Sequence, residues 1–463
     1  MHLPFPVFLL VGEKRMNQNE ISTPICNFVR KYADSDAVRM HMPGHKGVSL
    51  TGWESRDITE ITGADELFAP EGIIAESEAN ASRIFGCRTL YSAEGSSLCI
   101  RAMLYLVMRY AAEQRIPPLI AAARNVHKTF LTAAVLLDYP LEWIPCCGGD
   151  YLSCSVTPEA LDALPERPAA VYVTSPDYLG NRCDIRALSE YCRKNGILLL
   201  VDQAHGAYLR FLPESMHAAD LGADLCCDSA HKTLPALTGT AYLHIGNDAP
   251  AILARDARLA LELFASTSPS YLLMQSLDAV NPVLAGDFPR RLRKTAERVG
   301  AVKQRLAAHG YALCGTEPMK ITLCPQAFGY TGTMLAEMLE KQRIYAEFAD
   351  EDHLVLMPSP MHTAEDLART ADALCEIPRR SPIVETPPRM QMPEAVLTPR
   401  EAMMQPSETV PVEQAVGRIC AEISVSCPPA VPVVMCGERI MPDAAECRRY
   451  YGKKEIRVAV TGS

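Results

Sequence analysis

Five apolar residues and an aspartate, Ile197-Leu198-Leu199-Leu200-Val201-Asp202, followed by Gln203-Ala204-His205, set the architecture of this chain. A strand with one wet face alternates apolar and polar residues. An unbroken apolar run that stops at a polar residue suits a strand covered on both faces, as in a parallel sheet. Just upstream, Ile185 to Asn195 has helical spacing and is closed by Gly196. Before that, Ala169 to Thr174 is a second short apolar strand, ending at Ser175-Pro176. Leu98 to Tyr110 repeats the helical pattern after a Gly-Ser-Ser turn, and helical character also begins at Ala79 to Phe85. Alternation of this kind between about residues 80 and 245 predicts an α/β domain with a mostly parallel sheet and right-handed crossovers.

The pattern changes after about residue 285. Arg290 to His309 reads as one amphipathic helix, and 310–376 as the strand, helix and strand pieces of a small α/β domain. Pro378 to Pro406 is rich in Pro, Met and Glu and is the best linker candidate. Strand-like pieces follow at Ile419 to Val425, Val431 to Met435 and Ile456 to Val460. The expected division is an N-terminal arm (1–38), a large domain (39–285), a small domain (286–377), a linker (378–406) and a C-terminal α+β segment (407–463).

Bulk properties exclude several classes. A chain of 463 residues is too long for one ordinary core, and 48 % hydrophobic with 22 % charged residues argues against disorder. A net charge of −10 gives no broad basic footprint for nucleic acid. The 17 cysteines are odd in number and form no CxxC pair; the neighbours Cys146–Cys147 and Cys226–Cys227 read as small buried hydrophobes, which points to a reducing cytoplasm. Leu3 to Val11 is apolar but holds two prolines and has no basic residue before it, unlike a signal peptide. Met16, before Asn17-Gln18-Asn19-Glu20, is a plausible alternative start. No segment approaches the ~18 uninterrupted apolar residues of a membrane helix.

The chemistry centres on Asp202-Gln203-Ala204-His205 and Ser229-Ala230-His231-Lys232. In open α/β sheets ligands collect at the carboxyl ends of strands, where Asp202 stands. An aspartate there can keep the pyridine nitrogen of pyridoxal phosphate (PLP) protonated, which makes the ring an electron sink. A lysine thirty residues on can reach the cofactor aldehyde and carry it as a Schiff base; desolvation lowers its pKa and favours that bond. Taken singly, a strand-end Asp is a common turn residue and a Ser-x-His-Lys a common loop. Gly95-Ser96-Ser97, a tight turn entering a helix, is an anion site for a phosphate or an ordinary serine cap. His127, in Asn125-Val126-His127-Lys128, follows a short apolar run and could lie over a flat ring, although a lone histidine is more often structural. His41 and His45 have the i,i+4 spacing of a metal pair, but Pro43 and Gly44 oppose the helix that such a pair needs, so no metal site is expected. A rigid loop near the active site is the better reading of that stretch.

Several stretches occur in order: Met42-Pro43-Gly44-His45-Lys46-Gly47, Asp65-Glu66-Leu67, Gly95-Ser96-Ser97, Asn125-Val126-His127-Lys128, and Ser175-Pro176-x-Tyr178-x-Gly180. They continue as Asp202-x-Ala204-His205-Gly206-Ala207, Ser229-x-His231-Lys232-Thr233-Leu234-Pro235, Ser268-Pro269-Ser270-Tyr271 and Ala415-Val416-Gly417-Arg418-Ile419. Together they resemble the ornithine/lysine/arginine decarboxylases, PLP-dependent enzymes of fold type I, in a compact form without the N-terminal wing domain of long enterobacterial members. The resemblance implies that Lys232 carries the cofactor and Asp202 pairs with its ring nitrogen. It also implies that His127 stacks on the ring, that Ser96, Ser97 and Ser229 hold the phosphate beside Gly95 and His231, and that His205 lies close by. Lys232, Asp202, His205 and His127 are the implied catalytic set. A homodimer with the active site at the interface, and a role in polyamine or amine metabolism, are implied too.

The chain departs from the family pattern at Gln203 (usually Glu), Gly239 (often Gln), Ala230 (usually Thr), Glu94 (usually Asn), Ser426 to Pro432 and Cys436-Gly437-Glu438. The expected activity is α-decarboxylation of a basic amino acid, with arginine, lysine and ornithine all open. An aminotransferase or another lyase reaction on the same fold, or cofactor binding without turnover, are the alternatives.

Overall fold

The computed structural model describes residues 21–144, 155–388, 390–423 and 433–460. Seven strands form the central sheet: β1 (Arg88–Ser92), β2 (Ile120–Ala122), β3 (Leu141–Trp143), β4 (Ala170–Thr174), β5 (Leu198–Asp202), β6 (Leu225–Ser229) and β7 (Ala241–Ile245). Their order is β1-β7-β6-β5-β4-β2-β3. Only β7 runs against its neighbours; β3, β2, β4, β5 and β6 pair in parallel.

Strand periodicity splits each apolar run between two cores. Leu198 and Leu200 of β5 join Ala170 and Tyr172 of β4 in one core, which is closed by the helices Gly95–Gln114 and Ala251–Glu262. Leu199 and Val201 join Val171 and Val173 in the other, closed by the helix Ile185–Asn195. That helix is capped as expected: Asp184 accepts the Ala187 N–H at 3.0 Å, and Gly196 ends it at φ +60°. The same parity puts Asp202 on the Leu198/Leu200 face, toward the helix whose first turn holds Ser96 and Ser97.

The helix Phe288–His309 leads into a second sheet, β8 (Ala312–Cys314), β9 (Ile321–Cys324), β10 (Phe348–Ala349) and β11 (Leu354–Leu356), in the antiparallel order β10-β11-β9-β8. Leu313, Ile321, Leu323, Leu354 and Leu356 face the helices Gly332–Lys341 and Ala364–Cys375. At the C-terminal end, β12 (Ser407–Pro411) pairs with β13 (Glu455–Ala459) beside the helix Pro442–Tyr450.

Two expectations need correction. The segment read as a linker is not connecting chain throughout: Ala395 bridges Glu438, and Thr398 and Glu401 form a capping box on the helix Pro399–Met404. That helix docks on Lys128–Leu137, with Arg400 donating to the Val135 carbonyl at 2.9 Å. Proline content concealed a cap that Thr398-Pro399-Arg400-Glu401 spells out. Likewise, Ile419 and Cys420 make only isolated bridges, and Val433 and Val434 form a bend. Their apolar side chains are buried in a small core without a strand. Residues 424–425 and 431–432, the stretch Ser426 to Pro432, Cys146–Cys147, Leu3 to Val11 and Met16 lie outside the described residues. Among the described helices none is long and apolar enough to cross a membrane.

Candidate active site

The carboxyl ends of β5 and β6 and the amino end of Gly95–Gln114 bring the expected residues together. Asp202, 2 % exposed, ends β5. Its Oδ2 accepts from the Tyr172 hydroxyl at 3.2 Å and its Oδ1 from the Ala204 N–H at 3.1 Å. Ser229 ends β6 and donates to the Ser96 hydroxyl at 2.9 Å. Thr129, absent from the sequence reading, donates to the Ser97 hydroxyl at 3.1 Å. Gly95 takes φ +69°, and a Cβ built there would meet nothing within 4 Å, so the hydroxyl cluster opens onto free space. The Gly239 carbonyl accepts the Gly95 N–H at 2.7 Å and holds this turn.

His127 caps the helix Lys128–Leu137, and its Nδ1 lies 2.9 Å from the Thr129 hydroxyl, which sets the ring while its face stays exposed. His231 is tied to the Thr240 carbonyl at 2.9 Å. The loop His41 to Gly47 is bound elsewhere: His41 meets the Tyr32 hydroxyl at 2.6 Å and His45 meets Asp57 at 3.2 Å. Among the described residues neither histidine bonds to Lys232, and the two share no metal cluster.

Lys232 stands in the short helix Ala230–Thr233, with Nζ 2.9 Å from His205 Nε2. Burial pushes its pKa below the ordinary lysine range, although the Asp202 carboxylate pulls the other way. On the far side of the ring, His205 Nδ1 lies 3.3 Å from Lys320 Nζ, which also donates to the Asp177 and Tyr178 carbonyls at 3.0 Å each. Burial brings Lys320 down to about 8. Burial, then the two lysines, holds His205 well below its usual value, so the ring is neutral.

A neutral imidazole offers one donor and one acceptor, and an ammonium offers three donors. Lys320 has two carbonyls and one ring nitrogen around it, which satisfies all three. We assign Nδ1 as the acceptor and Nε2–H as the donor. Lys232 then accepts that N–H and is the neutral amine.

Lys320 comes from the turn before β9, more than a hundred residues from His205, and no motif marks it. Tyr178 packs edge-on to His205 with ring centroids 5.0 Å apart, and its hydroxyl bonds Glu347 at 3.1 Å. Glu317, also buried, binds the Tyr208 hydroxyl. The departure at Gln203 is accommodated: its Nε2 donates to Asp228 at 3.0 Å and its carbonyl accepts the Ala218 N–H at 2.7 Å. Asp228 already binds His217 and His244, and an amide donor suits that carboxylate better than a second acid would.

These residues fit pyridoxal phosphate. A hydroxyl cradle at a helix amino end suits the phosphate, a buried carboxylate suits a protonated ring nitrogen, and a desolvated amine suits the aldehyde. Thr233 Oγ1 and Asn125 Oδ1, beside Lys232 and Val126 in the chain, are buried without a hydrogen-bond partner in the protein. The sheet and this constellation define a PLP-dependent enzyme of fold type I.

The family model for the Orn/Lys/Arg decarboxylase major domain matches residues 23–323, and that for the C-terminal domain matches 384–455. The chain belongs to this family and is a PLP-dependent decarboxylase. It is 30 % identical over 462 residues to an arginine decarboxylase of Bacillus subtilis, covering 92 % of each chain. An arginine decarboxylase of Halalkalibacterium halodurans is 28 % identical, covering 90 % of this chain and 91 % of that one. Among solved structures, the constitutive lysine decarboxylase of Escherichia coli superposes with a TM-score of 0.75 at 16 % identity, covering 95 % of this chain and 82 % of that one. At that identity the likeness speaks for the fold.

Proposed function

We propose that this enzyme decarboxylates arginine and that Lys232, Asp202, His205 and His127 perform the work, with Gly95, Ser96, Ser97, Ser229 and His231 seating the cofactor. The observation that carries the reading is the chain Lys232–His205–Lys320, which makes Lys232 a neutral, desolvated amine in front of the buried Asp202. Basic amino acids are the family's substrates; the choice of arginine rests on the curated relatives of matching length that are named arginine decarboxylase.

When bound, the cofactor accepts the electron pair of the breaking Cα–carboxylate bond. Asp202 holds the ring nitrogen's proton, itself oriented by Tyr172 and the Ala204 N–H. His127 would cover one face of the ring and leave the other for the departing carbon dioxide. Lys232 Nζ would pass to Cα a proton drawn through His205 from the Lys320 ammonium. Nothing in this arrangement favours transamination or β-elimination over loss of carbon dioxide.

The exposed run Val38, Met40, Met42, Val48, Leu50 and Trp53 leaves an apolar side uncovered, which supports a homodimer whose second subunit completes the site. Cys226 and Cys227 are buried in β6 as small hydrophobes, which supports a reducing cytoplasm as the location.

The test is carbon dioxide release by purified protein with arginine, lysine and ornithine, with and without added cofactor. Arginine should give the highest kcat/KM, and Lys232→Ala should lower it at least ~100-fold. Keto-acid product, or a Lys232→Ala enzyme working at the wild-type rate, would sink the reading.

A further inference from the structure

The small domain holds a second cluster, on the two strands that flank the Lys320 turn. Cys314 ends β8, Cys324 ends β9 and His353 immediately precedes β11. Register puts all three on one face. Cys314 pairs with Thr322, two residues before Cys324, while Leu354 pairs with Leu323, so His353 continues the ladder opposite Cys324. Leu313, Leu323 and Leu354 turn to the other side, into the apolar core. The Cys and His face looks toward the large domain, where the Thr322 hydroxyl donates to the Leu179 carbonyl at 2.8 Å.

The two sulfur atoms and a ring nitrogen lie within 4.8 Å of one another. Tetrahedral ligands at about 2.3 Å (sulfur) and 2.0 Å (nitrogen) from zinc stand this close. His353 Nδ1 is buried 3.4 Å from the Asp350 carboxylate, and the ring also contacts Cys324, which in turn contacts Cys314. Asp350 is itself fixed by the backbone N–H groups of Asp352 and His353 at 2.9 and 2.6 Å. A carboxylate held beside an imidazole is the usual way to orient a ligating ring. Asp352 is fully engaged by Tyr450, Tyr451 and Gln326, so it is not a ligand but ties the turn to the C-terminal segment. All three candidate ligands are part-exposed, which leaves an entry path.

We propose that Cys314, Cys324 and His353 bind one zinc ion, with water in the fourth position. Two thiolates and an imidazole select a borderline-soft divalent cation over magnesium or calcium. Binding displaces the thiol protons to solvent. The ion would pin β8, β9 and the Asp350–His353 turn together, under the Tyr178 loop and against the C-terminal segment. Its role is to hold β8 and β9, and with them the Lys320 turn, and it touches neither substrate nor cofactor.

The test uses the full-length holoenzyme. After equilibration with zinc and gel filtration, elemental analysis should find about one zinc per chain, the count that one tetrahedral site holds. Cys324→Ser and His353→Ala should lose it, and Cys375→Ser on the helix Ala364–Cys375 should keep it. Cobalt(II) taken up in its place should show the strong visible bands of tetrahedral thiolate ligation. Removing zinc from the wild-type protein with a chelator should lower the melting temperature, and zinc should restore it, a readout that needs no variant to fold. Zinc absent from the wild type, equal zinc in Cys324→Ser, or an intact-mass loss of two hydrogens mapped to a Cys314–Cys324 disulfide in zinc-free protein would each overturn the proposal.

Discussion

At the scale of single residues, the decisive contact is His205 between two lysines. Its low basicity rests on burial and then on the charge of Lys320. Lys320→Met removes that cation, so the ring becomes easier to protonate. The acid limb of the kcat/KM profile should then move to higher pH, because activity is lost once Nε2 no longer has a neutral ring behind it. The measurement is the profile from about pH 5 to 9; an unmoved acid limb would show that Lys320 does not set the state of His205. Asp202, Lys232 and Ser229 were legible in the sequence because strand ends and loop motifs announce them. Lys320 was not, because its role depends on the small domain folding back over β5.

At the scale of elements, two buried ion clusters hold the site's walls. Arg124, at the end of β2, meets Glu438 of the C-terminal segment through two hydrogen bonds of 2.6 and 3.0 Å, with side chains 4 % and 2 % exposed. Arg124 directly precedes Asn125-Val126-His127, so the C-terminal segment braces the loop that carries His127. Glu438→Ala takes these two bonds and the counter-charge from a buried guanidinium and should cost about 3–5 kcal/mol. It should lower activity through His127 while Lys232 stays in place. Urea unfolding checks the stability, and an unchanged midpoint would refute the brace.

The second cluster is His217–Asp228–His244, fully buried where β6 (Asp228) pairs with β7 (His244). Burial opposes the Asp228 charge, but the two histidines override it and hold the carboxyl well below the usual range. His244 is raised in turn by Asp228 against its own desolvation. The Asp228 contribution is complete above its unfolded value of about 4 and is lost as pH falls through the depressed folded value; that of His244 is complete below about 6.5 and is lost as pH rises through its raised value. These are two views of one ion pair and count once. The melting-temperature gap between the wild type and Asp228→Asn should therefore peak between about pH 4 and 6.5; a gap that stays flat with pH would contradict the assignment.

At the scale of the molecule, the apolar stretch from Val38 to Trp53 is the part that the single chain does not explain. Met40 is 88 % and Leu50 82 % exposed, and Trp53 and Leu237 line one groove. Burying these against a second copy would give the His41–Gly47 motif a place at the partner's site. Sedimentation should show a dimer for the wild type and monomers for Leu50→Glu/Trp53→Glu, with activity falling in step. A fully active monomer would exclude a shared site.

Sequence alone determined the parallel sheet, the cofactor class and the positions of Asp202, Lys232 and the serine cradle. The sheet follows from local rules, since apolar runs, caps and turns act over a few residues; the cofactor class follows from the order of the motifs and the family that they resemble. Tertiary structure decided the rest. Lys320 reaches His205, Glu438 reaches Arg124, and Cys314, Cys324 and His353 converge only because separate segments are packed on one sheet or stacked across two. Contacts between separate segments, from ten to more than three hundred positions apart, leave no periodicity in the chain. The energies that make them matter, desolvation above all, do not exist until the interior has closed.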